Sequence, residues 1–267
     1  MINKNPKISV VLATFNEEKN LTRCMDSVSG LAEEIVVVDG NSTDNTLNIA
    51  KAYKAKIITT DNKPNFHINK NMAIAAAKGD WILQLDADEV VSPELMKEIK
   101  DVIRSGVCNG YWVNRKNWFL AGFLTKGGQY PDPTLRLYKK GFGHLPARDV
   151  HEQAEVTGPV GYLKNDLLHY RDTDFTKYME GFNRYTGFIA AQLQEQKVSL
   201  DIFSTLNYLF VKPCVTFFMI YFRHRGYVDG FPGFVFALFS FWGMIKALRG
   251  EKFKLPLIFS LSERLVL

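Results

Sequence analysis

Residues 81–90 read WILQLDADEV. An apolar run suited to a buried strand leads directly into three carboxylates within four positions, Asp86, Asp88 and Glu89. Like charges this close repel unless something positive sits among them. The segments on either side supply the fold in which that problem is posed. Upstream, ISVVLAT (8–14) and EEIVVVDG (33–40) hold apolar runs of the kind found in strands covered on both faces, and KIITT (56–60) is a third β-rich run. Between them lie helical patterns. NEEKNLTRCMDSVSG places Leu21, Cys24, Met25 and Val28 on one helix face, with Gly30 able to end it. STDNTLNIAKAY opens with Ser42 or Thr43 as N-cap. INKNMAIAAAKG (68–79) is Ala-rich and closed by Gly79. Downstream, SPELMKEIKDVI has Ser92 as N-cap and Pro93 at the first helical position. Four such β-α units predict an α/β fold built on a mostly parallel, doubly wound sheet.

From about residue 108 the pattern changes. NGYWVNRKNWF, TLRLYKK and EVTGPVGYL read as an antiparallel extension, and residues 174–197 as one long helix. The composition shifts again near residue 200, so the chain divides into 1–107, 108–199 and 200–267, the first two forming one domain. In the last part, 16 uncharged, Phe-rich residues lie between Asp229 and Lys246. A membrane-spanning helix needs about 20, and the apolar stretch from Pro213 to Phe222 is shorter still. Lys212, Arg223, Arg225, Lys246, Arg249, Lys252 and Lys254 flank both. Amphipathic helices lying in an anionic membrane interface have this character. Packing on the rest of the chain or a homo-oligomer interface is the alternative.

The 267 residues are enough for a substantial core. The net charge of +5, from 33 basic and 28 acidic residues, is too small to argue for nucleic acid, and no RNA-binding signature accompanies it. Cys24, Cys108 and Cys214 are far apart and odd in number, which fits neither a disulfide framework nor a zinc site and points to a reducing compartment. MINKNPKISVVLATFNEE does not read as a signal peptide, so a cytoplasmic start is expected.

In open parallel sheets, ligands bind outside the carboxyl ends of the strands. Here the first strand ends in Thr14, Asn16 and Glu17, the second in Asp39, Gly40 and Asn41, and the fourth in Asp86, Asp88 and Glu89. Asp39 can accept hydrogen bonds from a ribose hydroxyl or a base N–H, or cap the turn at Ser42–Asp44. Asp86 and Asp88 are i and i+2, so an extended backbone points both the same way. Two such carboxylates make a hard oxygen site for Mg²⁺ or Mn²⁺, or an ordinary acidic turn before Ser92.

SVVLATFNEEKNL, EIVVVDGNSTDNT and GDWILQLDADE closely resemble, in order and spacing over about residues 7–100, the three signature blocks of family 2 glycosyltransferases with the GT-A fold. The resemblance implies an inverting transferase using a nucleotide-diphosphate sugar, UDP at the family level, and a divalent cation, Mn²⁺ or Mg²⁺. It implies that Thr14, Asn16, Glu17 and Asp39, with Asn41 beside them, cradle the nucleoside. Asp86 then lies near the ribose or sugar and Asp88 reaches the metal. Lys70 sits where many relatives carry a basic residue near the nucleotide; a solvated helix-face lysine is the alternative. On this reading the cation, bridging aspartates and diphosphate, is the positive charge among the carboxylates.

Inverting transfer requires a base for the acceptor hydroxyl. ARDVHEQ offers Asp149, His151 and Glu152. Its similarity to the His-Glu motif of lipopolysaccharide-core-type members implies Glu152, with Asp149 as second choice. His169 in LLHY is a further metal or diphosphate ligand, or a core histidine. YPDPTLRLYKK places Asp132 and Arg136 in an acceptor-binding loop, where Arg136 pairs with phosphate or with Asp132. The expected activity is transfer of a hexose to a hydroxyl of a lipid-linked glycan, such as lipopolysaccharide core, by a protein peripheral to the inner face of the cytoplasmic membrane. A polyprenyl-phosphate glycosyltransferase and a non-catalytic nucleotide-sugar-binding partner are the alternatives. A nucleotidyltransferase is disfavoured because ATFNEEKN lacks the glycines of a phosphate loop.

Overall fold

The computed structural model describes residues 6–146, 153–172, 175–195 and 202–249. The chain divides into two compact units: Met1–Asn117 with Tyr130–Arg171, and Trp118–Gln129 with Asp172–Leu267. The division therefore falls inside the 108–199 segment rather than at either end of it.

The first unit begins with the expected alternation. β1 (Ile8–Thr14), α1 (Glu18–Val28), β2 (Glu34–Asp39), α2 (Thr46–Ala52), β3 (Lys56–Thr59), α3 (Phe66–Ala76) and β4 (Trp81–Gln84) follow one another. The order β3-β2-β1-β4 is parallel throughout. Val36, Val37 and Val38 are all fully buried because both sheet faces are covered. Val37 joins Val10, Leu12 and Leu83 in one core, whereas Val36 and Val38 join Val11 and Ile82 in the other, as the two-residue period of a strand requires. Full burial of one such side chain contributes about 1.5–3 kcal/mol.

The sheet continues through β5 (Glu89–Val91), then α4 (Pro93–Ser105), β6 (Gly110–Phe119), β7 (Gly122–Phe123), β8 (Asp132–Lys139), β9 (Gly143–His144), β10 (Glu155–Val156), β11 (Val160–Tyr162) and β12 (Leu167–Asp172). β8 pairs antiparallel with β4 and with β6, and the order runs on as β8-β6-β12-β5. β5 thus leaves β4 through one short turn and docks antiparallel on β12, with Glu89 opposite His169.

Several local expectations are corrected. EVTGPVGYL does not form an antiparallel extension as a whole: β11 runs parallel to β6, and β10 forms a separate ribbon with β9. Neither Ser42 nor Thr43 caps α2. The N-cap position is Asn45, because both hydroxyl residues are committed to the loop after β1. Gly79 does not close α3, which stops at Ala76. Its role is close approach, since a Cβ there would lie 2.6 Å from the Ser9 amide nitrogen. Ser92 and Pro93 do open α4, the Ser92 hydroxyl accepting from the Leu95 amide at 3.2 Å.

In the second unit, α5 (Phe175–Glu195) is followed by a helical run: α6 (Ile202–Leu206), a π-helical turn (Asn207–Val211), α7 (Lys212–Phe218) and a second π-helical turn (Met219–Arg223). A 3₁₀ turn (Gly226–Asp229) leads into α8 (Gly230–Arg249). Phe119, Leu124, Tyr178, Met179, Val235 and Phe239 form the core of this unit. Asp229 fastens the Trp118–Gln129 segment to it by accepting from the amides of Thr125 and Lys126 at 3.0 and 2.8 Å. Among the described residues, no helix is long and apolar enough to cross a membrane.

Candidate active site

The carboxyl ends of β1 and β2 are laced together by side chains. Thr14 donates to Asp39 Oδ2 at 2.9 Å, while the Ser42 amide and hydroxyl donate to Oδ1 and Oδ2 at 2.8 and 2.6 Å. Asp39 is fully buried and caps the Ser42 turn. Asn16 spans the gap: its amide donates to the Ser42 hydroxyl at 2.9 Å, and its Oδ1 accepts from the Thr43 amide at 2.8 Å. Asn16 and Asn41 have φ of 55° and 69°. Asparagine tolerates this left-handed region because its short polar side chain bonds locally. Glu17 accepts from Asn20 at 2.9 Å, and its amide donates to Thr46 at 2.7 Å. Asn16 and Asn41 remain exposed at the rim.

The acidic stretch is a turn. β4 ends at Gln84, and residues 85–88 are not strand, so the argument from extended backbone does not hold for Asp86 and Asp88. Glu89 closes the turn twice: its amide donates to the Asp86 carbonyl at 3.0 Å, and its Oε2 accepts from the Asp86 amide at 2.9 Å.

The positive charge among these carboxylates comes from the protein itself. Arg136 donates to Asp86 Oδ2 at 2.5 Å and to Glu89 Oε1 at 2.7 Å. Lys70, buried on α3, pairs with Asp86 Oδ1. Arg115 lies 3.8 Å from Glu89 and 2.9 Å from Asp132. This corrects four sequence-level readings. Lys70 is no solvated lysine. Arg136 pairs with Asp86 and Glu89 rather than with Asp132, and it sits with Asp132 on strand β8 rather than in a loop. Asp86 has both carboxylate oxygens held by cations, so it is not placed as a metal ligand. Glu89, named in the acidic stretch but given no role, is fully buried at the centre of the cluster.

Burial opposes the charge on Asp86, but Arg136 and Lys70 outweigh it and hold its carboxyl well below the usual range. Burial also opposes the charge on Arg136, and Asp86 and Glu89 overcome it, raising its pKa further. For Lys70 burial prevails, and its pKa is lowered despite the Asp86 partner.

Asp88 and His169 meet on the other side of the turn. The Tyr170 amide donates to the Asp88 carbonyl at 2.8 Å, so β12 fixes the backbone of the aspartate. His169 Nε2 lies 3.5 Å from Asp88 Oδ2. His169 Nδ1 lies 2.7 Å from Asn117 Oδ1, and Asn117 Nδ2 donates to Asp132 at 3.2 Å. An ionised carboxylate only accepts, so Asp132 orients the amide with its oxygen toward His169. The Nδ1 atom then carries a proton, and Nε2 is the ring nitrogen that faces the Asp88 carboxylate. With a neutral imidazole the pair is two acceptors turned toward each other, as ligands of one cation are. Among the described residues no group of three His, Cys, Asp or Glu is assembled. A single carboxylate completed by substrate phosphate oxygens is nevertheless an ordinary Mg²⁺ or Mn²⁺ arrangement. The residues present therefore fit a divalent ion.

Sequence reasoning did not single out Arg115 and Asn117. Their signal was strand alternation: in NRKNWF they are i and i+2 on one face of β6. Asp149 and Glu152 lie outside the described residues. The segment on either side of them is anchored. Asn71 donates to the Leu145 carbonyl at 2.8 Å and accepts from its amide at 3.1 Å, while Gln153 accepts from Thr134 at 2.9 Å.

Comparison with known proteins adds the following. The sequence profile described as Glycosyl transferase family 2 matches residues 9–154. An uncharacterised glycosyltransferase of Rickettsia prowazekii is 29% identical over 246 residues, covering 86% of this chain and 81% of the relative. A lipopolysaccharide core biosynthesis glycosyltransferase, LpsC, of Rhizobium meliloti is 27% identical over 245 residues, covering 89% and 88%. Among solved structures, S. aureus TarS in complex with UDP-GlcNAc matches with a TM-score of 0.47 and 18% identity, covering 91% of this chain and 83% of that one.

Proposed function

The chain belongs to glycosyl transferase family 2 and is a glycosyltransferase, and on that premise we propose that it is an inverting enzyme moving a hexose from a UDP-sugar to a hydroxyl of a lipid-linked glycan of the lipopolysaccharide core type. The observation that carries the donor half is the convergence of Asp88 and His169, with Nε2 facing the carboxylate at 3.5 Å. The glycan class is supported by the name of the LpsC relative. UDP is carried over from the family resemblance.

In this reading Thr14, Asn16, Glu17, Asp39 and Asn41 shape the nucleoside pocket. Asp39 works through the loop it holds, since its own oxygens accept from Thr14 and Ser42. Asp88 and His169 would hold the divalent ion. When bound, that ion supplies Lewis-acid stabilisation to the departing diphosphate. Lys70 and Arg136 keep Asp86 ionised and the turn in shape. Asp132 and Arg136, read from the sequence as acceptor-binding residues, are tied into this scaffold by Arg115, Asp86 and Glu89. Glu152 takes the proton of the acceptor hydroxyl, with Asp149 as second candidate. The protein works peripherally at the inner face of the cytoplasmic membrane, a placement supported by its exposed, basic-flanked aromatic helices and by the free state of its three cysteines.

A thermal-shift titration of the purified chain with UDP and Mn²⁺ tests the donor assignment, since a ligand that binds the native state raises Tm. UDP and Mn²⁺ together should raise Tm above either alone, and Asp88→Ala should abolish the Mn²⁺-dependent part. If the Mn²⁺-dependent shift survives in Asp88→Ala, the assignment is wrong.

A further inference from the structure

The helical run from Ile202 to Arg223 has an unusual exposure pattern. Positions 202 and 203, 206 and 207, 210 and 211, 214 and 215, 218 and 219, and 222 and 223 are exposed, and the positions described between them are not. The repeat is four residues. Phe203, Phe210, Phe218 and Phe222 are 81%, 61%, 59% and 51% exposed, and Val211 and Val215 more than half. Ten of the twelve exposed positions are apolar or cysteine, the exceptions being Asn207 and Arg223.

On an α-helix such a stripe would not stay on one side. Four residues advance about 400°, so each repeat drifts about 40° and the five repeats from 202 to 222 drift about 200°. A π turn accommodates one extra residue and sets the stripe back by about 100°. The run contains two π turns, at Asn207–Val211 and Met219–Arg223. Together they offset the drift, so the whole apolar stripe faces one way.

The charge on this run selects what it meets. Residues 202–228 contain no acidic residue, and they contain Lys212, Arg223 and Arg225. Arg223 and Arg225 are exposed at the end of the stripe. The next carboxylate, Asp229, is occupied by Thr125 and Lys126. A second copy docked through the same face would offer these arginines no acid. An anionic lipid surface offers both an apolar layer for the stripe and negative charge for the arginines. We infer that the helix from Ile202 to Arg223 lies in the plane of an anionic bilayer surface, its two π turns keeping one apolar stripe toward the acyl chains. This rests on the peripheral location proposed above and gives it a specific element.

The full chain is tested by flotation with vesicles of phosphatidylcholine containing phosphatidylglycerol and with vesicles of phosphatidylcholine alone. It should bind the first much more than the second, and less as salt rises. Phe210→Glu and Phe218→Glu, both at exposed positions, should each weaken binding by about tenfold or more. Deleting Leu209 from the first π turn should weaken it similarly by turning the distal stripe about 100° away, with helix content unchanged by circular dichroism. Absence of binding to anionic vesicles, equal binding to neutral ones, or full binding by the Glu variants overturns the inference. So does a lipid-free dimer that Phe210→Glu dissociates in a chain that ignores vesicles. Because the UDP thermal shift is measured without lipid, failure here is distinguishable from failure of the donor assignment.

Discussion

Asn117 Oδ1 sits 2.7 Å from His169 Nδ1 and thereby decides which imidazole atom faces Asp88. The amide is itself oriented by Asp132, which Arg115 holds in place. Four residues from β6, β8 and β12 thus aim one ring nitrogen at Asp88. This relay can be dismantled without touching the residues proposed to meet the ion.

Asn117→Leu keeps the size of the side chain and removes the acceptor. Mn²⁺ affinity, measured by calorimetric titration, should fall by about tenfold or more, the usual effect of losing a residue that orients a metal ligand. The tautomer of His169, read by nitrogen-detected NMR of the ion-free protein, should shift away from Nδ1–H. Unchanged affinity and tautomer would show that Asn117 is only packing.

Arg136 is the sole described cation donating to Glu89 below 3 Å. Arg136→Met leaves a fully buried Glu89 beside Asp86 with its main counter-charge gone. Removing one partner of a buried pair costs about 3–5 kcal/mol. Urea unfolding should show a loss of that order, and adding Glu89→Gln should recover part of it by removing the stranded charge. Purely additive losses would mean that the two residues are not coupled.

Stability at acid pH follows from Asp86. Its folded-state pKa lies below its unfolded value of about 3.9. A depressed carboxyl contributes stability that is fully present above the unfolded pKa and is lost as pH falls toward the folded one. Wild type should therefore lose Tm faster than Asp86→Asn below about pH 4, and the two slopes should agree near neutrality. Parallel curves across that acid range would refute the linkage.

Glu152→Gln separates the hydroxyl-acceptor reading from a phosphate acceptor. A hydroxyl needs a base, and losing one costs about 10²–10⁴ in rate. Turnover of the full chain on a lipid-linked glycan should drop by at least that lower factor, and Asp149→Asn should cost less. Near-wild-type turnover in Glu152→Gln would favour a polyprenyl-phosphate acceptor, which is already anionic.

The parallel half of the fold was legible because strand and helix periods differ and because Val36–Val38 can be continuous only where both faces of a sheet are covered. The convergence of strand ends followed from the same topology. Local readings failed where a residue had two possible partners: Ser42 and Thr43 look like helix caps, but Asp39, three residues before Ser42, and Asn16, distant in sequence, reach them first.

By itself, then, the order of residues determined a β-α ladder with an acidic turn at the mouth of its fourth strand, and three blocks whose pattern places the chain in its family. Only the tertiary structure decided which charges answer that turn. Arg115, Arg136 and His169 are remote from it in sequence and reach it through the β4-β8-β6-β12-β5 pairing. Ion pairing depends on distance between side chains, and strand register sets that distance where sequence spacing does not.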